Sequence, residues 1–148
     1  MNSKRLDPLI RRAETREDAL AKALAQKVQS HQQQAQRLDD LERFRSEYEA
    51  PPAPGSAVSP SQLLNRAAFL AKIDDAVVTQ QKHIATSEEA LAIERTRLLL
   101  ASRDKLVLEK LAASYRAAEQ KVQERNDQRV LDDLGARAHG AKKREENP

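Results

Sequence analysis

The feature that most constrains the fold of this chain is a row of apolar residues at strict seven-residue spacing. The row consists of Leu63, Leu70, Val77, Ile84, Leu91 and Leu98. No proline occurs between Ser61 and Asn147. A sustained heptad row in a polar, uninterrupted segment predicts a long helix that buries a narrow stripe against another helix. Such a helix offers no cleft for chemistry, so the pattern favours a protein that contacts other proteins.

The composition agrees with long helices and argues against several function classes. Charged residues make up 33% of the chain and aromatic residues 3%, which is typical of coiled coils. Cysteine is absent, which excludes disulfides, a thiolate metal site and a cysteine nucleophile. No segment approaches the roughly 20 apolar residues of a membrane span. The N-terminal residues also lack the apolar run of a signal peptide. We therefore expect a soluble, cytoplasmic protein.

The charge pattern separates the body of the chain from its ends. The net charge is +3, yet positive and negative side chains alternate through most of the sequence, as on a solvated helix face. Only the ends are basic, through Lys4, Arg5, Arg11, Arg12, Arg16, Lys142, Lys143 and Arg144. These ends could bind nucleic acid, but the chain has no dense arginine run and no recognition module. An acidic or carbonyl-lined protein socket is the favoured partner.

Two helices and a hinge follow from the capping and breaking residues. Asp7 and Pro8 suit the cap and first turn of a first helix. The proline-rich run that begins at Pro51 must end that helix. Ser59 then has the position of an N-cap and Gln62 that of its capping-box partner. We expect a first coiled-coil helix over 6–50, a hinge over 51–60, a second helix over 61–134 and a basic, disordered tail over 135–148, because Gly135 is a typical helix stop.

A short connection between two amphipathic helices predicts an all-α, antiparallel coiled-coil hairpin with a C-terminal helical overhang. Pairing the helices outward from the hinge places Leu6 opposite Lys105, and His31 and Gln34 opposite Gln80 and Val77. The middle of the hairpin is then polar, which lowers stability and fixes register. Everything beyond Lys105 would lack an intramolecular partner. The apolar stripe there would bind a partner or associate with itself; it comprises Leu108, Leu111, Tyr115, Ala118 and Val122.

No constellation in the sequence supports catalysis or cofactor binding. His31 and His83 could approach each other, but no further histidine completes a metal site. Three glycines in the whole chain leave no phosphate-binding loop. The serines have no convergent base and no free backbone donors. We expect no catalytic residue, no metal site, no cofactor and no small-molecule substrate.

The aromatic residues concentrate beside the hinge. Of four in the chain, Phe44 and Tyr48 lie at the end of the first helix and Phe69 near the start of the second. They either form a small core that closes the hairpin or provide a docking patch, since aromatic anchors dominate protein–protein hot spots. A two-helix hairpin cannot bury both faces of its helices, so we expect some of these rings to be exposed.

The chain resembles the family of the flagellar export protein FliJ. Residues 68–76, followed by Gln80 and Gln81, are similar to the second-helix signature of that family. Residues 105–111, 128–134 and 6–17 also fit, so the resemblance spans about Leu6 to Arg137. The resemblance implies a coiled coil similar to the gamma subunit of rotary ATPases and a role in flagellar protein export and assembly.

The resemblance also implies partners and a location. The two chain ends would insert into the hexameric ring of the export ATPase FliI. The hinge end would reach the cytoplasmic domain of the export gate protein FlhA, at the inner membrane of the flagellar base, and the family also escorts export chaperones. The gate-facing patch carried over by position is Arg37, Leu41, Phe44, Tyr48, Phe69, Ile73 and Ala76. For the ATPase ring we expect contacts from Arg5, Arg12, Leu108, Leu111, Tyr115 and Val122.

Other interpretations of the same pattern remain open. The chain could be a generic coiled-coil adaptor or a holdase-type chaperone that binds unfolded clients through its stripe. It could be the equivalent stalk of a virulence type III secretion system, which shares this architecture. A nucleic-acid-binding coiled-coil arm would instead show salt-sensitive binding through the basic ends.

Overall fold

The computed structural model describes residues 2–51, 55 and 57–146. A short 3-10 helix over Ser3–Leu6 leads into helix α1 over Asp7–Glu49, and helix α2 spans Pro60–Glu146. The described ranges contain no strand. The predicted all-α class, with two long antiparallel helices and a C-terminal overhang, is confirmed.

The N-terminal cap differs from the expectation. Asn2 has extended backbone angles, and its side chain accepts a hydrogen bond of 3.0 Å from the backbone N–H of Lys4. Asp7 already has helical backbone angles, so the prediction that it caps the first helix is wrong. Asparagine caps a helix as well as aspartate does, and Asn2 lies far enough upstream to start the helical path earlier. Pro8 still lies in the first turn of α1.

The predicted capping box at the start of α2 is confirmed. The backbone N–H of Gln62 donates to Ser59 Oγ at 3.2 Å, and the Ser59 N–H donates to Gln62 Oε1 at 3.1 Å. These two bonds satisfy backbone donors that the helix itself cannot pair. Within the predicted 51–60 hinge, Pro52, Ala53, Pro54 and Ser56 lie outside the described residues. Gly55 has a positive φ of 88°, which a side chain would disfavour.

The predicted helix stop at Gly135 is wrong, because α2 continues through it to Glu146. Among the described residues only Gly55 has a positive φ, so Gly135 does not adopt the left-handed conformation of a helix C-cap. A glycine inside a helix costs only about 1 kcal/mol relative to alanine. The strong helix formers that follow, Ala136 and Arg137 among them, outweigh that cost. The predicted disordered tail is therefore helical over 135–146, and 147–148 lie outside the described residues.

Residues 17–101 form one of two compact units, and this unit is the hairpin. Its buried apolar residues are Ile73, Leu91 and Ala101, all on α2. Gln80 and Glu94 are also buried, at intervals of seven residues from Ile73 and Ala101. The predicted heptad row supplies one edge of the helix interface, but it is not uniformly covered, since Leu63 is 51% exposed and Leu91 is 5% exposed. The hairpin thus has a thin core interrupted by polar layers.

The register of the hairpin differs from the expected one. His31 Nδ1 lies 2.7 Å from Ser87 Oγ, whereas the sequence-based pairing placed His31 opposite Gln80. Gln80 Nε2 instead donates to the side-chain and backbone oxygens of Gln34, at 2.7 and 2.8 Å. Buried polar groups need such partners, so the polar layers determine which positions meet. Counting outward from the hinge missed this shift.

The other compact unit contains residues 2–16 and 102–146. The start of the chain pairs with α2 as far as Glu119, which accepts hydrogen bonds from Ser3. Leu6 and Ala112 are buried in this unit, at 4% and 0% exposure. The expectation that everything beyond Lys105 lacks an intramolecular partner is therefore wrong. The overhang begins after Glu119, and every residue over 120–146 is exposed.

Candidate partner-binding surfaces

The first candidate surface is the hinge-end cluster, formed by Phe44, Tyr48 and Phe69. The ring centroids of Tyr48 and Phe69 are 4.5 Å apart, with 43° between the ring planes. This spacing lies in the favourable range for aromatic pairs. The two helices therefore meet through an aromatic contact directly beside the hinge.

A network of arginines fixes the backbone around the hinge-end cluster. Arg66 on α2 donates from Nε to the carbonyl of Tyr48 and from Nη2 to the carbonyl of Ala50. These carbonyls lie in the last turn of α1 and directly after it, where helical acceptors lack partners. Arg45 Nε also lies 2.7 Å from Asp74 Oδ1 across the helix pair. These bonds hold the end of α1, which carries two of the three rings, against α2.

All three rings of the hinge-end cluster face solvent, including the two that pack together, Tyr48 and Phe69. Phe44 is 54% exposed, Tyr48 41% and Phe69 43%, so the expectation of exposed rings is confirmed. An open groove of about 670 Å³ runs beside Tyr48 and Phe69, with Gln62 and Asn65 among its lining residues. The two interpretations of these aromatics are therefore compatible. Tyr48 and Phe69 close the hairpin, and all three rings leave apolar surface available to a partner.

The other residues of the expected gate-facing patch differ in how far they are exposed. Ile73 is 6% exposed and lies in the interface between the helices, so it cannot be a direct contact without local opening. Leu41 and Ala76 are half-buried, and Arg37 is exposed on α1. Helical spacing grouped these residues with the aromatics, but it could not separate the inward from the outward positions. The directly accessible anchors are the three aromatic rings.

The residues expected to contact the ATPase ring also differ in exposure. Arg5 and Arg12 are exposed, as are Leu111 and Val122, at 39% and 54% for the last two. Leu108 and Tyr115 are half-buried. They lie at heptad intervals on the face of α2 that also carries the buried Ala112. The exposed part of the predicted stripe is therefore smaller than the sequence suggested.

The bonds between Ser3 and Glu119 were not foreseen from the sequence. The backbone N–H of Ser3 donates to Glu119 Oε1 at 2.7 Å, and Ser3 Oγ donates to Oε2 at 2.8 Å. The backbone N–H, followed by the hydroxyl, stabilises the charged carboxylate and lowers the pKa of Glu119 below its ordinary value. Extending the heptad from Leu98 through Ala112 leads to Glu119, and this spacing was the available signal.

The second candidate surface is the C-terminal segment, residues 120–146. It is a helix of about 40 Å, and its large apolar residues include Val130, Leu131 and Leu134, each more than half exposed. The hydrogen bonds within it join side chains four positions apart, such as Gln123 to Asp127 and Gln128 to Asp132. Such pairs stabilise an isolated helix modestly. The segment therefore presents leucines on a helix that the described parts of the chain do not cover.

Within the described ranges, no group of three or more histidine, aspartate or glutamate side chains is arranged to hold a metal ion. No helix in the same ranges combines the length and the apolar character needed to cross a membrane.

The chain was compared with known proteins. The model of the family described as Flagellar FliJ protein matches residues 2–144. No curated protein and no solved structure gives a match. The matched range contains the whole of the hinge-end cluster and almost all of the C-terminal segment.

Proposed function

This chain belongs to the flagellar FliJ protein family, whose members are non-catalytic components of flagellar protein export, and we propose that it is the stalk that couples the export ATPase to the export gate. In this role it binds the hexameric ring of FliI and the cytoplasmic domain of FlhA, and so promotes export and flagellum assembly. Its work is done by binding, without an active site, a cofactor or a small-molecule substrate.

The main support for the proposal is the exposure of three aromatic rings at the hinge end of the hairpin, where Arg66 binds the end of α1. Phe44, Tyr48 and Phe69 are each more than 40% exposed, although the chain has only four aromatic residues. Exposed aromatics are the side chains that most often dominate binding energy, and the arginine bonds to the end of α1 pre-organise them. We assign this hinge-end cluster to the gate protein, with Arg37, Leu41 and Ala76 at its margin.

The C-terminal segment supports the assignment to the ATPase ring. It is a helix with exposed leucines that no other described residues cover, and its end carries Lys142, Lys143 and Arg144. We expect the exposed leucines to pack on apolar surface of the ring and the short basic run to face acidic side chains and carbonyl oxygens. Arg5, Arg12, Leu111 and Val122 would extend this contact, while Leu108 and Tyr115 support the helix from its half-buried side.

The same account places the protein in the cytoplasm, peripherally associated with the inner membrane at the flagellar base. Export chaperones are further partners that the family relationship suggests, and nucleic acid is not expected as one. The match to a flagellar family supports a flagellar stalk over its counterpart in virulence secretion.

The proposal is tested by removing the C-terminal segment from the intact chain. A chain ending at Lys121 keeps Ser3 and Glu119, so we expect its hairpin to fold as before. Its affinity for FliI should fall at least about tenfold, corresponding to about 1.4 kcal/mol, while its affinity for the FlhA domain stays unchanged. Both affinities are measured by calorimetry.

A second, full-length variant controls for any effect of the truncation on folding. Leu131→Ala with Leu134→Ala keeps the full length and good helix propensity, and it should weaken FliI binding in the same direction. Unchanged FliI binding by the shortened chain would contradict the assignment of this segment to the ATPase.

A further inference from the structure

Two open grooves flank the hinge-end cluster, and they have one lining residue in common. The groove of about 670 Å³ runs beside Tyr48 and Phe69, and a second groove of about 240 Å³ runs beside Phe44. Glu47 lines both of them and is exposed in the last turn of α1. Glu47 therefore shares a groove with each of the three exposed rings.

The charged side chains that line the two grooves have partners, with the exception of Glu47. Arg43 pairs with Asp40, and Arg66 donates to two backbone carbonyls at the end of α1. Among the described residues, Glu47 makes no ion pair and no hydrogen bond. The last turn of α1 also contains no basic residue, although the C-terminal end of a helix favours cations. The grooves therefore retain one negative charge that no described residue offsets by direct contact.

The position of Glu47 restricts the chemistry of any partner that covers the hinge-end cluster. Because Glu47 shares a groove with every ring of the cluster, a partner that fills these grooves also removes water from its carboxylate. A covered carboxylate that lacks a partner is strongly unfavourable. An apolar or acidic partner group would leave the carboxylate in that state, whereas a cationic group would satisfy it with charge-assisted hydrogen bonds.

The aromatic rings favour the same kind of group. The faces of tyrosine and phenylalanine rings attract ammonium and guanidinium groups within about 6 Å of the ring centre. We propose that the hinge-end cluster binds an arginine or lysine side chain of the gate protein, which lies against an aromatic ring and pairs with Glu47. This inference rests on the proposed function, because it names the chemistry of the group that FlhA presents to the cluster.

The bound partner determines how much this pair contributes to affinity. An ion pair that stays in solvent is worth little. When the partner fills the grooves, the same attraction acts at a lower effective dielectric constant and is stronger. The pair should therefore contribute to binding even though Glu47 is exposed in the free chain.

Glu47→Gln in the full-length chain tests the charge of the carboxylate, because it keeps the shape and the helix propensity of the side chain. We expect it to weaken binding of the cytoplasmic domain of FlhA about five- to tenfold, and we expect Glu47→Arg to weaken binding further. Glu42→Gln is the matched control, since Glu42 is an exposed residue of α1 that lines neither groove. This control changes the net charge by the same amount and should bind FlhA as the unmodified chain does.

Calorimetry on these variants separates failure of this inference from failure of the proposed function. If Phe44→Ala with Phe69→Ala weakens binding but Glu47→Gln does not, the inference is overturned and the gate contact stands. Equal weakening by Glu47→Gln and Glu42→Gln would also overturn it, because the net charge and not a local pair would then be responsible. No binding of FlhA by the unmodified chain would overturn the proposed gate contact together with the inference.

Discussion

Replacing Phe44 and Phe69 together with alanine will weaken binding to the cytoplasmic domain of FlhA about 100-fold and leave the helix content nearly unchanged. Both rings are about half exposed, and the buried residues Ile73, Leu91 and Ala101 are unchanged, so the hairpin should lose only part of its stability. At a binding hot spot, two such anchors contribute about 2.7 kcal/mol together. The loss of affinity should therefore greatly exceed the loss of stability.

Calorimetry and circular dichroism at 222 nm on the same samples separate these two effects. Leu64→Ala is the matched control, because Leu64 is near the hinge and 72% exposed but lies outside the hinge-end cluster. We expect this control to bind FlhA as the unmodified chain does. Weaker binding that comes with a collapse of helicity would show that the rings only close the hairpin. Unchanged binding would show that the gate docks elsewhere.

Replacing Leu91 with alanine will lower the free energy of unfolding by about 2 to 5 kcal/mol, the range for large-to-small changes in a core. Leu91 is 5% exposed and is one of only three buried apolar residues described within 17–101. Small domains are stable by only about 5 to 15 kcal/mol. The loss is therefore a large fraction of the stability of a hairpin with polar layers.

Urea denaturation followed by ellipticity checks this prediction. Leu100→Ala is the control on the same helix, since Leu100 is 50% exposed. Its effect should be no more than about 1 kcal/mol. Equal losses from the two variants would mean that the inward heptad face does not hold the hairpin together.

Local signals in the sequence predicted the two helices and the start of α2, but they did not predict where α2 ends. The heptad row and the lack of proline after Ser61 identified α2, and Ser59 with Gln62 identified its first turn. The position of the aromatic residues identified the hinge-end cluster. The helix and its capping box are decided by neighbours within a few residues, and the hinge-end cluster follows because the short hinge brings the two helix ends together, so the sequence alone was sufficient for them.

Features that depend on contacts between the helices were not predictable in the same way. The register follows from buried polar partners, above all the bonds between Gln34 and Gln80. The true start of the overhang depends on Ser3 reaching Glu119. These partners are more than 40 positions apart in the sequence, and heptad spacing alone permits several offsets. The offset between the helices decides whether an apolar residue such as Ile73 packs against the other helix or is available to a partner.

The most direct test of the stalk function is the ATP hydrolysis rate of FliI measured at increasing ratios of this protein. A stalk that binds within the ring should stimulate hydrolysis and saturate near one chain per hexamer. Full-length protein that gives no stimulation and does not co-elute with FliI at any ratio would contradict the account.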